Sequence, residues 1–180
     1  MESLVEFWRY GAGLKLEERK GWKRLRLERR ESVADHSFAL ALLAMLEAER
    51  RGYDVEKVLR LALLHDLEEA ITGDLTPKEK ELRGGSRVLR DKRRAIGELV
   101  RCLPMKRRRY YRGLWLDLRL LQTREAKLVH ELDKLEMALQ ASVYATKTGR
   151  RRVLDFYGSA AEGIHDPALR RILNSIVGVS

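Results

Sequence analysis

Three prolines interrupt this chain, at Pro77, Pro104 and Pro167, and the long intervals between them are built from Leu, Ala, Arg, Glu and Lys. These residues lose little freedom in a helix, whereas proline is the residue that most effectively stops one. Apolar positions recur at helical spacing, and no stretch alternates apolar and polar as a half-buried strand would. The chain is therefore expected to be all-α, a helical bundle forming one domain over residues 1–180, with no internal repeat and no low-complexity linker. At 180 residues and 44% hydrophobic side chains it can bury a substantial core.

Helix boundaries can be placed from capping residues. Ser3 to Ala12 reads as a short helix with Leu4, Phe7 and Trp8 on one side, ended by Gly11-Ala12-Gly13. Leu14 to Arg30 reads as a basic, irregular connection. Ser32 or Asp35 caps the next helix, which stops near Gly52. Asp54 caps another that runs to His65-Asp66, with one further turn over Glu68 to Ile71. Thr76-Pro77 opens a short charged helix, since proline is tolerated in a first turn. Gly84-Gly85-Ser86 breaks it, and Arg87 to Cys102 follows with Ile96, Leu99 and Val100 inward. Pro104 opens the next helix. Thr123 begins the longest, to about Thr146, and two C-terminal segments lie around Val153–Ser159 and Pro167–Val177.

Several classes are set aside by composition. No run approaches the roughly 18 apolar residues of a membrane span, and the acidic N-terminus lacks a signal-peptide layout. Cys102 is the only cysteine, so an intrachain disulfide and a Cys-based zinc site are both excluded; a reducing cytoplasm is the expected location. The net charge of +10 favours anionic partners such as nucleotides, nucleic acids or acidic proteins. Scarce amides (Asn174, Gln122, Gln140) and 36% charged residues resemble the balance of a heat-adapted protein.

One stretch stands apart, Leu63-Leu64-His65-Asp66-Leu67-Glu68-Glu69-Ala70-Ile71-Thr72-Gly73-Asp74. Apolar segments rarely carry so many ionisable groups, and buried charges must be paired or bind a metal. His36, His65, Asp66 and Asp133, on three expected helices, can be assembled into one site in the interior of a bundle. Two imidazoles and two carboxylates neutralise a divalent ion and leave room for exogenous oxygens. His130, three residues before Asp133, is a rival ligand on the same helical face. His165-Asp166 repeats the dipeptide, but there Asp166 precedes a first-turn proline and reads as an ordinary cap.

The pattern His36, His65-Asp66, Asp133 resembles the HD superfamily of metal-dependent phosphohydrolases. More narrowly it resembles the HD-domain-containing protein 2 family and the related bacterial 5'-deoxynucleotidases. The matching stretches include Arg19-Lys20-Gly21-Trp22, Glu31 to His36, Leu64-His65-Asp66 with Glu69, Thr72-Gly73-Asp74-Leu75, Glu125 to Val129, Leu132 to Met137, Leu139 to Ser142 with Tyr144, and Asp155-Phe156-Tyr157. The likeness is weakest from Lys78 to Gln122. It implies a helical HD fold, hydrolysis of nucleoside 5'-monophosphates with a deoxyribose preference, a homodimer, and one divalent metal (Co, Mn, Zn, Mg or Ni) on His36, His65, Asp66 and Asp133. It further implies Glu69 as the group activating the attacking water, Asp74 near the substrate and leaving oxygen, and Arg19 and Trp22 near the sugar. This sequence places Lys20-Gly21 between Arg19 and Trp22, where the bacterial enzymes keep Arg and Trp adjacent.

Elementary chemistry agrees with these roles. Glu69 follows His65 by four residues and shares its face if the helix continues, where a carboxylate can orient a water or take its proton. A turn at Gly73 lets Asp74 double back toward the mouth of the site and serve as an acid. Three other readings compete: an HD enzyme acting on triphosphates or polyphosphates, a helical nucleic-acid-binding protein using Lys106 to Arg112 and Arg150 to Arg152, and a non-catalytic scaffold that keeps metal for stability. The basic runs also read simply as solvated helix faces.

Overall fold

A computed structural model describes residues 2–178 of the chain. Its helices are α1 (Glu2–Leu14), α2 (Val33–Arg51), α3 (Val55–Leu64), α4 (Glu69–Thr72), α5 (Pro77–Arg83), α6 (Gly85–Leu99), α7 (Met105–Leu120), α8 (Arg124–Thr148), α9 (Leu154–Gly163) and α10 (Pro167–Val177). Short 3-10 turns occupy Lys20–Leu25, Val100–Cys102 and Arg150–Val153. No strand forms among the described residues; Glu18 and Ser32 make one isolated antiparallel bridge. The all-α expectation holds, and none of the described helices is long and apolar enough to cross a membrane.

The capping residues act as read. Ser32 and Asp35 cap α2 together: the Ser32 hydroxyl accepts from the Asp35 amide, and the Asp35 carboxylate accepts from the Ser32 amide. Such a reciprocal box satisfies two amides that a helix start leaves unpaired. Thr76 and Glu79 repeat it at α5, with Pro77 in the first turn. Asp54, Thr123 and Asp166 cap α3, α8 and α10 with their side chains.

Helix α8 is the axis of the molecule. Leu128, Val129, Leu132, Leu135, Ala138 and Ala141 are buried along it, and α2, α3, α9 and α10 pack around it. Truncating one of these leucines to alanine typically costs ~2–5 kcal/mol, because the emptied space collapses only partly.

Four local readings are corrected. The Gly11-Ala12-Gly13 run does not end α1, which continues to Leu14; glycine weakens a helix without terminating it. Leu4 and Trp8 are exposed rather than core-facing. The connection before α2 contains an ordered 3-10 turn over Lys20–Leu25 that buries Trp22 and Leu25. Gly84 alone separates α5 from α6, its φ of +79° ending one helix while α6 begins at Gly85.

Candidate active site

The His-Asp pair does not ride on a continuing helix. α3 ends at Leu64, residues 65–68 form a turn, and α4 restarts at Glu69. This break is what lets the pair and Glu69 approach one cavity from different directions. His65 is tied back to α3, its Nδ1 lying 2.7 Å from the Ala62 carbonyl oxygen. Nδ1 therefore donates to that carbonyl, and Nε2 is the nitrogen left to face the other candidate ligands. That Nε2 is buried and makes no hydrogen bond, although Asp66 Oδ2 lies 3.0 Å away. Proximity without hydrogen-bond geometry leaves the atom without a partner.

His36 comes from the first turn of α2 and is fully buried. Its Nδ1 bonds to Glu136, and its Nε2 lies 3.0 Å from Asp133 Oδ1. The rings of His36 and His65 are 5.1 Å apart, edge to face. Ligand atoms of His36, His65 and Asp66 lie within 4.8 Å of one another, and Asp133 joins through His36. Neither His130 nor Asp133 belongs to a close cluster of candidate ligands; both line the cavity, and Asp133 alone of the two reaches His36. The arrangement fits a divalent ion: an unpartnered His65 Nε2, a second imidazole whose far nitrogen is fixed by a carboxylate, and two acidic side chains beside them. Imidazole ligands are usually fixed through their other nitrogen in this manner.

Charge is balanced tightly here. Burial would raise the Asp66 carboxyl, but neighbouring His65 and the Lys92 ammonium hold it well below the ordinary carboxylate range. Burial likewise opposes ionisation of Asp133, and Lys134 and His36 overcome it, again holding the group well below its usual value. His36 is pushed up to about 9: burial and Arg19 oppose its charge, and the bonds to Asp133 and Glu136 prevail.

Glu69 is buried and raised to about 7, chiefly by burial and then by the Asp66 charge, with Lys92 opposing. Its Oε1 accepts from Lys92 Nζ at 3.0 Å. Asp74 follows Gly73, whose φ of +70° makes the turn. The Asp74 carboxylate accepts from the Lys20 amide at 2.6 Å, and its own amide donates to Glu17 at 2.9 Å. Asp74 thus lines the cavity and also pins the segment that carries Arg19.

The two residues inserted between Arg19 and Trp22 are absorbed by the 3-10 turn. The Trp22 amide donates to the Arg19 carbonyl at 3.2 Å, and in a 3-10 helix residues three apart eclipse one another. Both residues line the cavity. Trp22, however, is 1% exposed, and its indole N–H donates to Glu31 Oε1 at 2.7 Å, so only its ring surface remains to offer. Arg19 Nη1 lies 3.7 Å from both Glu31 and Glu136. Its guanidinium is surrounded by carboxylates, which outweigh burial and raise its pKa.

Sequence reasoning missed Glu136, Glu31, Glu68, Lys92 and Arg119. Glu136 had a signal, standing three residues after Asp133 on one helix face. Lys92 and Arg119 had none, for they are charged residues on charged helices in the least family-like part of the chain.

The cavity lined by His65, Asp66, Glu69, Asp74 and Asp133, with Lys92 and Arg119 in its wall, encloses about 730 Å³, within the ~300–1,000 Å³ of small-molecule sites. Lys78, Lys80, Arg119 and Lys134 also border it, so an anionic ligand would meet cations on several sides.

Comparison with known proteins points to one family. The family model described as HD domain matches residues 12–171. A Xenopus laevis protein named 5'-deoxynucleotidase HDDC2 is 34% identical over 176 residues, covering 97% of this chain and 86% of that one. Its Homo sapiens namesake is 33% identical over 97% of this chain and 84% of its own length. Among solved structures, a Pyrococcus horikoshii OT3 protein superposes with a TM-score of 0.75 at 30% identity, covering 98% of this chain and 99% of that one.

Proposed function

The chain belongs to the HD-domain family, and from that membership we propose that it hydrolyses nucleoside 5'-monophosphates, deoxynucleotides included, to nucleoside and phosphate. The observation that carries the reading is the buried, unpartnered His65 Nε2 grouped with His36 and Asp66 beside Glu69 on a cation-rimmed cavity. Relatives named 5'-deoxynucleotidase span nearly the whole chain.

A divalent ion held by His36, His65, Asp66 and Asp133 would supply Lewis acidity toward the phosphoryl group. Imidazole donors favour a transition metal over magnesium. The chain's own residues do the rest. Glu69 holds the attacking water through the oxygen that Lys92 leaves free and takes its proton as the oxygen–phosphorus bond forms. Its pKa of about 7 suits a base that must accept a proton and release it at neutral pH. The departing 5'-oxygen takes its proton from solvent, and Asp74, at the mouth, is the side chain that orients and relays it. Arg19, Lys134 and the lysines of α5 offset repulsion between phosphate and the acidic ligands. Trp22 and Arg19 border the sugar position.

The same reading takes the chain as one HD domain that works as a homodimer. Support comes from Phe38, Leu42 and Leu46, exposed large apolar side chains spaced four apart on one face of α2. The cytoplasm suits a chain whose lone cysteine, Cys102, is a buried free thiol.

Phosphate release tests the proposal, measured on paired deoxy- and ribonucleoside monophosphates with Mg, Mn, Co, Ni or Zn, for wild type and Asp66→Ala. Release by wild type and its loss in the variant are expected. No turnover of any monophosphate would remove the nucleotidase reading, while equal turnover of dAMP and AMP would remove sugar selectivity alone.

A further inference from the structure

Behind Glu69 lies a buried charge cluster of which the reaction as described uses only the bond from Lys92. Glu68 is wholly buried and Lys92 nearly so, at 0% and 4% exposure. Lys92 Nζ lies 3.0 Å from Glu68 Oε1 and 3.0 Å from Glu69 Oε1. Arg119 of α7 bonds the same Glu68 oxygen and donates to the His65 carbonyl at 3.0 Å. Two cations and two carboxylates thus meet, drawn from α4, α6, α7 and the turn that carries the His-Asp pair, while the second Glu68 oxygen, Oε2, is buried without a hydrogen-bond partner.

Such a cluster is costly to bury, and as a device for stability it is poor. Well-packed apolar side chains of similar volume commonly do as well or better. Its geometry supplies something apolar packing cannot. A carboxylate on the four-residue helix α4 would otherwise rotate freely at the cavity wall. Lys92 holds one of its oxygens, which leaves the other turned to the cavity. Glu68 prevents the ammonium from swinging away, and Arg119 locks Glu68 to the backbone of His65. Glu69 and the His65 turn are thereby kept in fixed relation.

We propose that Lys92, braced by Glu68 and Arg119, is the positioning residue for Glu69. This rests on Glu69 being the group that handles the attacking water. Lys92 acts through Glu69 and not on phosphate, so its removal is expected to lower kcat and leave KM and metal content in place. Loss of orientation alone should slow turnover ~10–100-fold.

The test compares wild type, Glu69→Gln, Lys92→Met and the double variant Glu68→Gln/Lys92→Met, each with its metal content, melting temperature, kcat and KM for dAMP. Lys92→Met alone leaves two buried carboxylates facing one cation and is expected to lose stability. The double variant removes one charge of each sign, should melt near wild type, and still leaves Glu69 unheld. Expected is a double variant with wild-type metal content and a KM within about twofold, yet with kcat reduced ~10–100-fold. Recovery of wild-type kcat in the double variant would overturn the inference, leaving Lys92 a purely structural charge. So would a loss confined to KM or to metal content. Full activity in Glu69→Gln would overturn the water-handling role and the inference together, and an inactive wild type would overturn the proposed function from which both proceed.

Discussion

Glu136 stands behind His36: its carboxylate bonds the imidazole Nδ1, and the opposite nitrogen, Nε2, faces Asp133 Oδ1 at 3.0 Å. The ring is therefore fixed in both tautomer and direction by a residue that touches no ligand. Glu136→Gln keeps the shape but weakens the acceptor, and a carbonyl oxygen polarises the imidazole less than a carboxylate. Metal affinity should fall ~10–100-fold, as is usual when such an outer partner is lost. Titration calorimetry with Mn or Co measures it directly, and unchanged affinity would mean that Glu136 serves only Arg19, 3.7 Å away.

The same imidazole makes metal binding depend on pH. In the metal-free protein His36 is raised to about 9, so at neutral pH it holds a proton that a metal must displace. Affinity should climb as pH rises from 6 toward 9, with a proton released on binding, detectable in weakly buffered titrations. Metal-free stability should move the opposite way. The folded pKa exceeds the ordinary 6.5, so this contribution is whole below pH 6.5 and is lost as pH rises to about 9. A shift of that size is worth on the order of 3 kcal/mol. Chelated protein should melt at lower temperature at pH 9 than at pH 6.5, with the difference reduced in His36→Gln.

Trp22 illustrates a residue whose place near the cavity overstates its direct part in binding. Its indole N–H is committed to Glu31, and its ring packs against Phe156 at 4.1 Å and Tyr144 at 5.1 Å. Trp22→Phe keeps most of the packing and strands a buried carboxylate, whose pKa burial and Glu136 already raise. The expected loss is ~1–3 kcal/mol of stability, with deoxy against ribo preference changed by less than about threefold (under ~0.7 kcal/mol). A large change in sugar preference at constant melting temperature would assign Trp22 a direct role after all.

Much of this architecture could be read from residues alone, because caps and breakers act locally. Ser32, Asp54, Thr76, Thr123 and Asp166 each start a helix through their own side chains. What eluded sequence reading depends on tertiary placement. The Arg19–Trp22 insertion is a departure from the adjacent pair, and no sequence signal announces the backbone bond from the Trp22 amide to the Arg19 carbonyl that spans it. His65 and Glu69 were read on one helical face, but the turn over residues 65–68 re-aims them. Lys92 resembles any lysine of a basic helix until α6 is laid against α4 and brings it to Glu69.

The stripe of Phe38, Leu42 and Leu46 gives the homodimer proposal a specific locus. Phe38 is 65% and Leu46 59% exposed, an arrangement typical of a surface that meets a partner. Phe38→Glu with Leu42→Glu should convert a dimer to a monomer in light scattering. The fold should survive, since neither side chain belongs to the buried core. A wild type that is monomeric at all concentrations would remove the dimer from the proposal.

Lys134 separates phosphate attraction from metal binding. Its ammonium lies 2.9 Å from Asp133 Oδ2, and it borders the cavity. Its stem runs beneath Gly163, where an added Cβ would fall 2.8 Å from Lys134 Cγ and 3.3 Å from Cδ. Those are inner atoms of the side chain, so Gly163→Ala must swing the whole stem rather than nudge its tip. Lys134→Met removes the charge but keeps the stem, and frees Asp133 from a competing cation. Metal should then bind more tightly, while KM for a monophosphate rises ~5–10-fold as one partly exposed cation is lost (about 1 kcal/mol). Gly163→Ala should reproduce the KM effect with the lysine still present. If Gly163→Ala leaves KM unchanged while Lys134→Met raises it, the charge acts at long range and the seat beneath Gly163 is incidental.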